Sequence, residues 1–174
     1  FFSFIGGAPF VSTNSFELSS SAFGIYFGVT TLGYVVGSFI SGKFSERFGI
    51  HFMLLQGSWI TALGLLLSLF IFWLGFGSAT VFFGCMILAG VGNGMVLPNA
   101  NAGLLSVRPS LAGSASGIGG AIMLGGGAFL AYLAGLISTE QAGPYPLMYL
   151  MIFTAFAALF IVRYIIFLER DIVV

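Results

Sequence analysis

A chain of 174 residues with 59% hydrophobic and only 6% charged side chains, at a mean hydropathy of +1.12, cannot clothe a water-facing surface, because soluble domains are about a quarter charged. Five basic residues against five acidic ones leave no net charge, which excludes a phosphate-neutralising stripe and any nucleic-acid partner. One cysteine, Cys85, excludes an internal disulfide and a cysteine-built metal site, and no cofactor is expected.

Lipid is therefore the expected solvent, and a helix needs roughly 20 apolar residues to cross it. The chain opens on Phe1 without a basic leader, so residues 1–13 read as a helix entered partway, the first segment of a fragment. Five full spans follow, at about 21–42, 52–74, 79–104, 113–137 and 146–168. None shows the period-two alternation that a β-barrel strand needs. The expected fold is all-α: one polytopic membrane bundle of six segments, joined by short connections that make neighbours antiparallel.

Charge placement orients the bundle. Lys43 and Arg47 follow the second segment, Arg108 follows the fourth, and Arg163 and Arg170 close the last. Threading back and forth puts all five on one side, and Glu17 and Glu140 on the other. The positive-inside rule makes the basic side, with the C-terminus, cytoplasmic in a cell membrane.

A shift of 89 residues superposes Pro9 on Pro98, Gly24 on Gly113, Gly28 on Gly117 and Gly37 on Gly126. Three crossings separate the copies, so the second is inverted relative to the first, the plan of an inverted three-plus-three repeat. Both copies carry Gly and Pro in their first helix, at residues 6–10 and 90–99. Proline removes a backbone donor, so interruptions are expected there, marking either a substrate cavity or a packing kink.

The segment Gly42-Lys43-Phe44-Ser45-Glu46-Arg47-Phe48-Gly49 fits G-x-x-x-[DE]-[RK]-x-G between two spans. It reads as a cytoplasmic gating loop. Glu46 suits the positive N-terminal end of a neighbouring helix and Arg47 an acidic partner across a closing interface. With this motif the chain resembles the major facilitator superfamily, although Ile50 and His51 stand where that family favours basic residues. Gly7-Ala8-Pro9-Phe10-Val11, Pro98-Asn99-Ala100-Asn101 and Ala112-Gly113-Ser114-Ala115-Ser116-Gly117 are similar to segments of the Bcr/CflA-type drug/proton antiporters within it. The resemblance implies helices seven to twelve of a twelve-helix carrier, and efflux of drugs or other small molecules driven by protons. An N-terminal six-helix half would be its partner. No Asp or Glu lies within a span, so the coupling carboxylate is expected in that half. A carrier of a sugar or an organic anion is the alternative.

Gly24/Gly28, Gly33/Gly37 and Gly113/Gly117/Gly125 form small-residue ridges expected to pack helices closely. Asn93 falls mid-span, where its amide must pair or face water, so cavity lining and interhelical bonding stand equal. Pro9, Phe10, Tyr26, Thr30 and Met123 complete the candidate cavity set. An intramembrane serine protease built on Ser116 and His51 is a remote alternative, since no histidine follows the serine in a later span. A channel is disfavoured by the lack of a filter loop or charge ring.

Overall fold

A computed structural model describes residues 1–106, 109–139 and 142–172. It contains α1 (Phe2–Asn14), α2 (Ser20–Phe48), α3 (Ile50–Trp73), α4 (Ala79–Ser106), a single 3-10 turn (Pro109–Leu111), α5 (Ala112–Ile137) and α6 (Tyr145–Ile172). The last five helices are long and apolar enough to cross a membrane. The all-helical bundle is as expected.

Hydroxyl caps and glycines set those boundaries. Ser19 Oγ accepts from the Ala22 N–H and Ser78 Oγ from the Val81 N–H, satisfying first-turn donors that have no intrahelical partner. At the far end of α2 the chain reverses through Gly49 alone, at φ 84° and ψ 158°, a conformation that essentially only glycine tolerates.

That single-residue turn corrects one expectation. Gly42, Lys43, Glu46 and Arg47 do not form a loop; they continue α2 as its last two turns. Their neighbours Phe44 and Phe48 are apolar enough to prolong the helix, and only Gly49 breaks it.

Helix directions follow from which residues meet. Gly33 faces the Ile87 backbone and Gly37 the Val91 backbone, so α2 and α4 run parallel, 54 residues apart in register. Phe2 meets Gly127, and Gly6 meets Ala131, so α1 and α5 also run parallel, 125 residues apart. A repeat that maps α1 onto α4 and α2 onto α5 exchanges these two pairs, and its shift must be the mean of their separations, 89.5 residues. The shift of 89 read from Pro and Gly positions is thus reproduced by packing register. Because α1 and α4 point in opposite directions, the repeat is inverted.

One end of the bundle carries Lys43 and Arg47 in α2, and Arg163 beside Leu55 of α3. Glu17 lies at the opposite end, between α1 and α2. Arg108 and Glu140 lie outside the described residues. The opposite end is filled by aromatic rings: Phe82, fully buried, touches Phe4, Phe16, Phe72 and Phe83, the last edge-on at 5.1 Å.

The prolines do not interrupt their helices as expected; Pro9 and Pro98 sit inside continuous α1 and α4. The carbonyls that lose a donor are those of Ile5 and Gly94, four residues back. Side chains bond other carbonyls nearby, Ser12 Oγ donating to that of Pro9 at 2.7 Å and Asn99 Nδ2 to that of Met95 at 2.7 Å.

Asn99 also ties α4 to α2. Its Nδ2 donates to Ser41 Oγ at 2.7 Å, and its Oδ1 accepts from Ser45 Oγ at 2.8 Å. The amide is 2% exposed, where an unpaired polar group is costly. Asn99→Ala is expected to destabilise the bundle by about 1 kcal/mol, the scale of polar helix–helix bonds in lipid. Thermal unfolding in detergent checks this, and Ser45→Ala in the Asn99→Ala background should then cost almost nothing more.

Candidate functional site

Halfway along α4 the bundle forms a half-open cavity of about 170 Å³ to which all six helices contribute. Its apolar wall includes Phe4, Leu65, Met86 and Met151, and its polar groups are Ser3, Thr30, Ser58, Thr61, Asn93 and Thr154. Glycine makes the chamber possible. The α3 and α4 backbones cross at Gly57 and Gly92, where a Cβ on Gly92 would strike Thr61 Oγ1 and the Gly57 carbonyl. This close crossing turns Thr61 and Asn93 toward one another.

The hydrogen bonds at the site obey one pattern. Asn93 Nδ2 donates to the Ala89 carbonyl at 2.9 Å, and Thr61 Oγ1 approaches the same oxygen at 3.5 Å. Thr30 donates to the Tyr26 carbonyl at 3.0 Å, Ser58 to the Leu54 carbonyl at 2.7 Å and Thr154 to the Met151 carbonyl at 2.9 Å. Each hydroxyl proton is thereby committed to backbone. No ionisable side chain is among the lining residues.

Of the candidate cavity residues, Thr30 and Asn93 are brought together at this chamber. The other four lie elsewhere. Tyr26 stacks on Phe83 at 5.1 Å and shares a 3.0 Å hydrogen bond with Thr80 near the aromatic end. Pro9 and Phe10 are on the half of α1 leading away from the chamber, and Met123 is exposed on α5. Ser3, Ser58, Thr61 and Thr154 were missed. Ser58, Thr61 and Leu65 stand at i, i+3 and i+7 on one face of α3, but His51, Gln56 and Ser68 on the same helix keep that spacing from standing out as a stripe.

The glycine ridges divide. A Cβ on Gly33 or Gly37 would collide with α4 carbonyls, so these two pack helices as expected. Gly24, Gly28, Gly113, Gly117 and Gly125 have nothing within 4 Å of a Cβ and pack no helix of this chain. They leave smooth open faces on α2 and α5. Lys43, Glu46 and Arg47 are exposed as well, and no ion pair forms among the described residues; Lys43 and Arg47 lie over Phe44 and Phe48 at 5.6 and 5.3 Å.

Comparison with known proteins gives no match among curated proteins and none among solved structures. The family model of the Major Facilitator Superfamily matches residues 1–171. A mid-membrane chamber inside an inverted repeat of spanning helices accords with that match: the chain belongs to the Major Facilitator Superfamily, a family of multi-pass membrane transporters rather than enzymes.

Proposed function

We propose that this chain is the C-terminal six-helix half of a twelve-helix carrier, and that the chamber at Asn93 is its solute-facing site. The observation that carries the reading is the chamber's place, halfway through the bundle and walled by both copies of the repeat, where carriers of this plan hold their solute. The open glycine faces of α2 and α5 supply a surface for the N-terminal half. Rocking of the two halves about the solute would then alternate access.

The carrier moves drugs or other small molecules outward against protons, across a cell membrane with the basic end cytoplasmic. The resemblance of residues 7–11, 98–101 and 112–117 to drug/proton antiporter segments supports this specialisation. All Lys and Arg side chains among the described residues lie toward one end and none lines the chamber, which favours this over an organic-anion carrier.

Proton-dependent dye efflux by the complete carrier, abolished by an uncoupler, is the expected result; uncoupler-insensitive movement would remove proton coupling. Orientation is checked separately. Glu17→Cys should react with an impermeant maleimide on intact cells, and Lys43→Cys only after permeabilisation. The reverse pattern would invert the topology.

A further inference from the structure

We propose that the chamber selects ligands by their hydrogen-bond donors, favouring small molecules that carry O–H or N–H groups, with Asn93 Oδ1 as the deciding acceptor. This rests on the chamber being the solute site.

The orientation of the Asn93 amide is fixed by chemistry. The Ala89 carbonyl can only accept, so the atom 2.9 Å from it must be the nitrogen. The oxygen is then turned away. Asn93 is half-buried, and its oxygen is neither hydrogen-bonded nor sealed from contact. It lies on the chamber wall with its lone pairs unused.

The surrounding hydroxyls reinforce the bias. A serine or threonine hydroxyl has one proton and two lone pairs. Thr30, Ser58, Thr61 and Thr154 all give that proton to a carbonyl, so each retains only acceptor capacity. The donors facing them are the second Asn93 N–H, the hydroxyl of Ser3 and, where α1 starts, the Phe1 amino group and the first-turn N–H groups. No Lys, Arg or His side chain lines the space. A ligand donor would meet a waiting oxygen.

At about 170 Å³, the chamber is close to the ~150 Å³ apolar cavity that holds benzene in an engineered protein. One aromatic ring with one donor is a suitable probe.

The test uses the complete carrier in lipid nanodiscs with 13C-labelled methionine methyls. Met86 and Met151 report on the chamber, while exposed Met123 reports on nonspecific partitioning into lipid. Phenol, which donates, is compared with benzonitrile, which only accepts. Phenol should shift Met86 and Met151 saturably, with a Kd about tenfold below that of benzonitrile. Asn93→Leu should bring the phenol and benzonitrile constants within about threefold; Asn93→Ala removes the same acceptor with less bulk.

Equal constants for phenol and benzonitrile in the wild-type chain, or an unchanged ratio in either variant, would overturn donor selection and leave the chamber as a ligand site. Failure of both probes to move Met86 and Met151 would overturn the chamber and this inference together.

Discussion

Gly37→Leu will prevent α2 from docking on α4, at a cost of more than about 3 kcal/mol. Overpacking usually costs about 1–3 kcal/mol because neighbouring side chains yield. Here the obstacle is backbone: even a Cβ at Gly37 would overlap the Val91 carbonyl and lie 2.8 Å from its carbon. A helix main chain cannot step aside without shifting the whole rod. Gly28→Leu, nine residues earlier on the same helix, meets nothing of this chain within 4 Å and, with the six helices unfolded by themselves, should change stability by less than about 0.5 kcal/mol. Chemical unfolding of the two variants in detergent separates them. Similar losses in both would mean that α2 packs on a different face.

The second large effect is expected at Phe82. Truncating a buried Phe to Ala costs about 3–5 kcal/mol in soluble proteins. Part of that is transfer from water, which fades where lipid is the alternative, so about 2–3 kcal/mol is expected for Phe82→Ala. What remains is lost contact with the rings of Phe4, Phe16, Phe72 and Phe83, drawn from four segments of the chain. Phe129, 60% exposed, is the matched control: Phe129→Ala should leave unfolding unchanged. A loss at Phe82 no greater than at Phe129 would show that the aromatic cluster does not hold this end of the bundle.

These pairs of residues also show where sequence reading stops. Apolar length and basic residues set the spans and their alternation, since a bilayer imposes both. The 89-residue shift was legible because glycines and prolines mark equivalent backbone sites. Gly24/Gly28 and Gly33/Gly37 have the same spacing on one helix, yet only the second pair meets a neighbour. In an oily helix no polar stripe tells which face looks inward, so packing and open ridges read alike. Asn93 was found because an amide in a span is conspicuous. Thr61, Ser58 and Thr154 were missed because hydroxyls bonded to their own helix are common and carry little signal. Gly42 to Gly49 was read as loop because it is charged and bounded by glycines, although nothing there stops a helix before Gly49.

The one-residue joint at Gly49 has a mechanical consequence. There α2 and α3 are pinned end to end, while the close crossings at Gly33/Gly37 and at Gly57/Gly92 clamp each of them to α4. A pin and two clamps make a triangle, and a triangle is the one pin-jointed frame that cannot shear. These three rods should therefore travel as a truss. Any flexing within this chain falls to the sparser seams, where the shorter α1 and its companion α5 lean against it.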